Sequence, residues 1–175
     1  MLLRLRSGED EAGTPKYAHS EVERRWLVNV GEAERLGPDQ PIAITDRYIR
    51  GTRMRLREMR RDSQTVWKLT KKYECDDPLI RPIVTIYLTA AEFALLADLP
   101  ADVLRKQRYR LPTGGVDYSL DRFEGTLGGL MLAELESADA TWLRALPDPP
   151  WALRDITCEQ RYQGGELAIN GRPLE

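Results

Sequence analysis

The chain of 175 residues is poor in the residues that hold zinc or form disulfides. It has two cysteines, Cys75 and Cys158, and one histidine, His19. Neither cysteine stands at a spacing typical of metal ligands, so the sequence argues against a zinc site. The scarcity of cysteine and the lack of a signal-peptide pattern predict a cytoplasmic protein.

Long apolar runs and a net positive charge are also missing. No run approaches the ~20 residues that a membrane-spanning helix needs, so we predict no membrane partner. Lys and Arg number 26 against 28 Asp and Glu, which gives a net charge of -2. Since nucleic-acid-binding proteins are normally basic, we predict no nucleic-acid partner either.

The composition is that of one globular unit. Hydrophobic residues make up 42% and charged residues 31% of the chain, and the length suits a single domain with a buried core. Gly, Pro and mixed charge without a period fill the start of the chain. We therefore predict a flexible N-terminal tail over residues 1–18, one domain over 19–170 and a C-terminal tail over 171–175.

Eight segments have the alternation and β-branched content of strands. The predicted strands are Ser20–Val28, Ile42–Arg50, Arg53–Arg57, Gln64–Tyr73, Ile80–Leu88, Val103–Leu111, Val116–Phe123 and Leu130–Ser137. Helices are predicted over Val30–Leu36, Thr89–Leu99 and Ala138–Ala145. In the second helix, Thr89 as N-cap and Glu92 three residues later form a capping box.

The strands carry charged residues on one face. In the first strand Glu21, Glu23 and Arg25 share a face, because successive side chains of a strand point to opposite sides. The same alternation brings further acids and cations to one face of the later strands. The acids are Asp121, Glu134 and Glu136, and the cations are Arg53, Arg55, Arg57, Lys68, Lys72, Lys106, Arg108 and Arg161.

These charged faces favour a closed barrel. No β–α–β alternation is present, which predicts an antiparallel sheet, and a sandwich would bury the charged positions in an apolar core. We therefore predict a mostly β (α+β) fold: an eight-stranded antiparallel closed barrel with a polar interior and added helices. The alternative is a solvated sheet face with cross-strand salt bridges.

The charges themselves indicate a phosphate ligand. Burying so many cations together is costly unless a polyanion enters, and guanidinium groups bind phosphate oxygens in pairs. Carboxylates beside phosphate imply a bridging hard cation, Mg²⁺ or Mn²⁺. Since like charges repel in the empty barrel, removal of Arg55 or Arg57 is expected to leave the ligand-free protein as stable as before, or more stable.

An ordered series of motifs resembles the CYTH domain family, the triphosphate tunnel metalloenzymes. The first is Glu21-Val22-Glu23-Arg24-Arg25-Trp26-Leu27-Val28, similar to the E-x-E-x-K/R-[FW]-L-V opening of that family. The others are Met54–Arg57, Leu69–Lys72, Arg105–Tyr109, Ser119–Gly125, Leu132–Glu136 and Asp155–Thr157 with Arg161-Tyr162. The implied fold is the same eight-stranded tunnel.

The resemblance implies a role for each matching residue. Acids of that family hold divalent metal, here Glu21, Glu23, Asp121, Glu134 and Glu136. Basic residues grip the phosphates, here Arg25, Arg55, Arg57, Lys72, Lys106 and Arg108, and we add Arg53, Lys68 and Arg161. Two departures reduce the acid complement: Ser119 stands where an acid is usual, and the strand around Ile83 and Thr85 lacks alternating acids.

We predict a metal-dependent hydrolase of small triphosphates, most plausibly inorganic tripolyphosphate. One metal would be held by Glu134, Glu136 and Asp121. A second, near Glu21 and Glu23, would orient the attacking water, and we assign Glu21, Glu23 and Arg25 to catalysis. We find no aromatic cluster that would read a base, which favours the inorganic substrate.

Three alternatives remain open at this point. They are a class IV-type adenylyl cyclase, a nucleoside or thiamine triphosphatase, and a non-catalytic module that binds polyphosphate or a nucleotide. The sequence predicts a small-molecule substrate and a monomer or homodimer.

Overall fold

The structure, a computed structural model, describes residues 15–35 and 40–174. Its strands are β1 His19–Val28, β2 Ile42–Ile49, β3 Met54–Arg61, β4 Gln64–Lys72, β5 Ile80–Leu88, β6 Ala101–Thr113, β7 Val116–Phe123, β8 Met131–Glu136 and β9 Ala152–Asp155. Its α-helices are α1 Val30–Arg35, α2 Ala90–Ala97, α3 Ala140–Ala145 and α4 Gly164–Asn170. Most of the N-terminal tail predicted over residues 1–18 lies outside the described residues.

Eight antiparallel strands close into a barrel. The strand order is β5-β4-β3-β2-β6-β7-β8-β1, and β1 pairs back onto β5 to complete the ring. The ninth strand, β9, pairs with the end of β1 from Trp26 to Val28. The predicted eight-stranded antiparallel barrel is confirmed, and the solvated open sheet is wrong.

One apolar cluster lies outside the barrel wall. The even-numbered side chains of β1, Val22, Trp26 and Val28, pack there with residues of β6, β7 and α3. Trp26, Tyr118 and Trp151 form two edge-to-face contacts, with ring centroids 5.7 and 5.0 Å apart. This packing fixes the direction of β1, and it therefore sends the odd-numbered side chains of that strand into the barrel.

A second apolar cluster closes one end of the barrel interior. Leu27, Leu104, Phe123 and Leu132 extend the charged inner faces of four strands, and Leu167 of α4 packs onto them. The interior is thus apolar at one end and charged along the rest. The charged side chains of the interior are therefore confined to the rest of its length.

The capping box of the second predicted helix is present. The Thr89 side chain accepts a hydrogen bond from the Glu92 backbone N–H, and the Glu92 carboxylate accepts one from the Thr89 backbone. Helix α4 was not predicted, since two successive glycines begin it and glycine disfavours helix by about 1 kcal/mol. Among the described residues, no helix is both long and apolar enough to span a bilayer.

Candidate functional site

Seven of the eight barrel strands contribute charged or polar side chains to one interior space, which we call the central cavity, and β7 contributes the ring of Phe123. Its cationic lining is Arg25, Arg55, Arg57, Lys72, Arg81, Lys106 and Arg108, and its acidic lining is Glu21, Glu23, Glu134 and Glu136. The two acid pairs come from β1 and β8, which are neighbours in the barrel. The predicted meeting of these charged faces is therefore present.

Three of the carboxylates could hold a metal ion. One oxygen each of Glu21, Glu23 and Glu136 lies within 4.8 Å of the others, and Glu23 and Glu136 are directly opposite each other in the β1/β8 ladder. Burial, followed by the charge of Glu134, raises the pKa of Glu23 to about 7. Burial and then Glu21 also raise the pKa of Glu136. A cation between these carboxylates would relieve their repulsion, and a set of carboxylate oxygens suits Mg²⁺ or Mn²⁺.

Asp121 does not join this cluster. It is fully buried, its carboxylate accepts hydrogen bonds from Arg108 at 2.6 and 2.7 Å, and Lys106 is its other partner. Arg108 also pairs with Glu134. Although burial alone would raise the pKa of Glu134, Arg108 and Lys106 hold it well below its usual value.

The predicted metal set of Glu134, Glu136 and Asp121 is therefore regrouped. Both oxygens of Asp121 are used to hold cations, so this residue fixes the position of Lys106 and Arg108 and is not placed as a metal ligand. Glu136 lies instead with the carboxylates of β1. The pairing of each acid with a cation depends on the register between strands. Alternation along a single strand does not reveal that register.

A second buried carboxylate, Asp46 of β2, was missed by the sequence analysis. It accepts hydrogen bonds from Arg57 at 2.6 and 2.7 Å, and Arg55 lies 3.7 Å away. Burial opposes ionisation, yet Arg57 and Arg55 hold the pKa of Asp46 well below its usual value. This pair argues against the expectation that removal of Arg57 would spare stability, because the removal would leave a buried carboxylate without its main partner.

The cations are compensated mainly from within the protein. Lys72 lies 2.5 Å from Glu21, and Arg25 lies 3.4 Å from Glu23. Our inference that only an entering polyanion could compensate buried cations was therefore incomplete. The Nε atom of Arg55 is buried without a hydrogen-bond partner among the described residues, and an oxygen of Asp46 lies 3.7 Å from it.

Three predicted substrate-binding residues lie elsewhere. Arg53 precedes β3, is half exposed and pairs with Glu74. Lys68 lies over the Tyr87 ring, 5.0 Å from its centroid, and does not line the central cavity. Arg161 is exposed and pairs with Glu159 at 2.9 Å. The first two share the alternation of true cavity residues, but Arg53 lies before β3 and Lys68 contacts the Tyr87 ring.

The segment Tyr162–Gly165 contributes to the cavity wall and was not predicted. Arg25 donates to the Tyr162 carbonyl at 3.0 Å, and Arg81 donates to the Gln163 side-chain oxygen at 2.6 Å. A Cβ on Gly164 would lie 1.9 Å from the Tyr48 hydroxyl, so only glycine fits against this ring. Tyr162 belongs to the Arg161-Tyr162 motif, but no motif marks Gln163, Gly164 or Gly165 as residues of a site.

Aromatic side chains are also present in the cavity wall, contrary to expectation. Tyr48, Phe123 and Tyr162 line the central cavity. Phe123 and Tyr162 belong to the apolar cluster that closes the barrel, and Tyr48 packs on α4. Each of these rings therefore has a packing partner in the fold.

Two curated relatives are named inorganic triphosphatase. One, from Nitrosomonas europaea, is 29% identical over 156 residues, which are 86% of this chain and 98% of the relative. The other, from Acetivibrio thermocellus, is 34% identical over 68 residues, which are 39% of this chain and 42% of the relative. No family model matches the chain.

Solved structures share the architecture. A structure of an inorganic triphosphatase has a TM-score of 0.56 at 24% identity and covers 85% of this chain and 94% of its own. A protein from Pyrococcus horikoshii has a TM-score of 0.54 at 20% identity, over 68% of this chain and 78% of its own. The closed barrel that the strand pattern predicts is thus also the fold of a solved inorganic triphosphatase.

Proposed function

We propose that this chain, whose resemblance to the triphosphate tunnel (CYTH) family is confirmed by these relatives and by its fold, hydrolyses inorganic triphosphate to diphosphate and phosphate. The observation that carries the proposal is the central cavity: seven cationic side chains surround a space that also holds a cluster of three carboxylates. Few ligands other than a phosphate chain with a divalent cation match both features.

We propose Mg²⁺ or Mn²⁺ as the cofactor. Glu21, Glu23 and Glu136 would hold it, because they offer three close carboxylate oxygens, the donor type that these ions prefer. When bound, the ion would neutralise phosphate charge and favour deprotonation of water. The two-metal arrangement inferred from the sequence is reduced to this one cluster, since Asp121 and Glu134 are paired with cations.

The protein side chains would supply positioning and charge. Arg25, Arg55, Lys72, Lys106 and Arg108 would bind the phosphate oxygens and stabilise the charge that develops on the transferred phosphoryl group. Two buried carboxylates would keep four of the cavity cations in position: Asp46 would hold Arg55 and Arg57, and Asp121 would hold Lys106 and Arg108. A glutamate of the cluster, Glu21 or Glu23, would accept the proton of the attacking water.

Inorganic triphosphate is favoured over a nucleotide by the lining of the cavity. Eleven of its 22 lining residues are charged and recognise phosphate but not a base or a ribose, and the three aromatic rings among the others pack against neighbours in the fold. A nucleoside would therefore add ordering and desolvation costs without matched contacts. A cytoplasmic location, a monomeric or homodimeric state, and the absence of nucleic-acid and membrane partners stay predictions.

The test is a steady-state comparison of tripolyphosphate, ATP and thiamine triphosphate with Mg²⁺ and with Mn²⁺, with chromatography for cyclic AMP. We expect the highest kcat/KM for tripolyphosphate and no cyclic product. Faster ATP or thiamine triphosphate turnover would favour the organic substrates, and cyclic AMP would favour the cyclase. Binding without any turnover would favour the non-catalytic module.

A further inference from the structure

Arg81 lies where the central cavity meets a second, wider space. This mouth cavity is bounded by the turn between β2 and β3, by the loop after β4 and by α4, and Arg81 lines both spaces. Its Cα is paired with that of Glu21 in the β1/β5 ladder, and residues directly opposite in a ladder share a face. Its side chain is therefore at the entrance, on the same wall as the carboxylate cluster.

The charge of Arg81 is the least compensated in the central cavity. The other six cations each have a carboxylate oxygen within 4.0 Å: Arg25 at Glu23, Arg55 and Arg57 at Asp46, Lys72 at Glu21, and Lys106 and Arg108 at Asp121. Arg81 instead donates to the neutral amide oxygen of Gln163 at 2.6 Å. Within the described part of the chain it has no carboxylate partner.

The neighbouring residues of β5 also provide no carboxylate for Arg81. On the inner face of β5, Arg81 is followed by Ile83 and Thr85, and the Thr85 hydroxyl is hydrogen-bonded to Thr70 at 2.9 Å. This strand therefore brings no carboxylate to the cavity. Gln163 uses one N–H of the guanidinium, which has five, so most of its donors remain for a ligand.

We propose that Arg81 is a substrate-binding residue that takes a terminal phosphate of the triphosphate at the entrance of the central cavity. The inference rests on the proposed function and extends it to a residue that no motif marked. A phosphate oxygen that binds Arg108 or Lys72 must share that cation with an internal carboxylate. At Arg81 it meets a guanidinium that is already held in place by Gln163 and still uncompensated.

The first test is calorimetric binding of tripolyphosphate to the full chain without metal. Arg81→Gln should weaken binding by about 10- to 100-fold, the usual range for a hydrogen bond to a charged group. The control is Arg50→Gln, since Arg50 lines the mouth cavity but donates to Asp102 at 2.7 and 3.0 Å. This control should bind as the wild type does. Equal affinities for the Arg81 and Arg50 variants would overturn the proposal.

A second variant tests the uncompensated charge and keeps the arginine. Gln163→Glu places a carboxylate beside Arg81, so it should weaken tripolyphosphate binding by about tenfold. In hydrolysis assays both variants should raise KM more than they lower kcat, a split that a merely structural role would not give. Unchanged affinity in Gln163→Glu would contradict the inference.

The two proposals can fail separately. Tripolyphosphate binding that depends on Arg81, without phosphate release, would refute the proposed hydrolysis and leave the inference standing. Hydrolysis with unchanged KM in Arg81→Gln would refute the inference alone. No binding to the wild-type chain would refute both.

Discussion

Asp46 shows how a single residue organises the cations of the barrel. It is completely buried, and both of its oxygens accept hydrogen bonds from Arg57. Arg57 is itself nearly buried, so each charge of the pair depends on the other. Breaking a buried pair by removal of one partner is far more costly than the pair is stabilising.

Arg57→Ala should therefore destabilise the ligand-free protein, by about 3–5 kcal/mol. Arg55→Ala should cost less, because Arg55 is 3.7 Å from Asp46 and leaves the Arg57 hydrogen bonds intact. Urea unfolding of both variants measures the difference. A ligand-free Arg57→Ala protein as stable as the wild type would contradict the assigned role of Asp46.

The Asp46–Arg57 pair also predicts that the free energy of unfolding depends on pH. The pKa of Asp46 is lowered in the folded state, so its ionised form adds stability above the ordinary aspartate pKa of about 3.9, and this stability is lost as the pH falls below that value. The stability difference between the wild type and Asp46→Asn should then be large at neutral pH and smaller in acid. Urea unfolding across this range measures the difference, and a constant gap would contradict the prediction.

Glu136 tests the carboxylate cluster. Glu136→Gln removes one of three negative charges, and should weaken Mn²⁺ binding by roughly tenfold or more, since ligand charge sets the affinity of such sites. Glu34→Gln, on the exposed face of α1, is the control and should bind as the wild type does. Electron paramagnetic resonance of free Mn²⁺ reports both affinities. Equal affinities would show that Glu136 is not a ligand.

At the scale of elements, α4 determines how the barrel interior ends. Leu167 packs on the apolar cluster inside the barrel, and Gly164 and Gly165 lie against Tyr48. The preceding residues Tyr162 and Gln163 hold Arg25 and Arg81. The seven-residue helix and the two residues before it thus contact side chains from β1, β2 and β5.

The two glycines offer a matched pair of variants. A Cβ at position 164 would lie 1.9 Å from the Tyr48 hydroxyl, whereas a Cβ at position 165 would be 3.5 Å from the ring, an ordinary contact. Gly164→Ala should destabilise by about 1–3 kcal/mol through overpacking. Gly165→Ala should be neutral or stabilise by up to ~1 kcal/mol, because alanine favours helix. Chemical unfolding of both would decide, and equal stability would contradict the packing of α4.

The sequence predicts strands better than it predicts this helix. Alternation along β1, β6 and β8 is sufficient to place Glu21, Lys106 and Glu134 inside the barrel. The opposite face of these strands carries Trp26 and other apolar residues, which must be buried against the outside of the barrel wall. In contrast, Asp46 stands between Thr45 and Arg47 in a strand with no clear charged face. Its partner Arg57 is 11 residues away, and their contact depends on the β2/β3 register.

In the molecule as a whole, closure of the sheet into a barrel creates the charged cavity on which the proposed function depends. The pairing of β1 with β5 places Glu21 and Arg81 opposite each other in the ladder, and it encloses seven cations and four carboxylates in one space. On an open sheet the same charges would be solvated, and each pair would be weak. Inside a barrel their field is screened much less, so a multiply charged phosphate chain is the ligand that gains most from it.

Three predicted residues fall outside the central cavity. Lys68 lies in β4 with the expected alternation, but Arg53 lies before β3 and Arg161 lies in a 3-10 turn over Gln160–Tyr162, so strand alternation alone could not place them. The apolar cluster takes one end of the interior, and the mouth cavity takes the other. The length of the charged section depends on barrel tilt and register, which no single strand contains.

The most direct test of the central claim is a phosphorus-31 magnetic resonance time course of tripolyphosphate with the wild-type chain and Mg²⁺ or Mn²⁺. We expect the tripolyphosphate signals to decay while diphosphate and orthophosphate appear in equal amounts. Chelation of the metal should stop this conversion. Tripolyphosphate that stays intact with either metal, or that is cleaved equally fast without one, would refute metal-dependent hydrolysis by this chain.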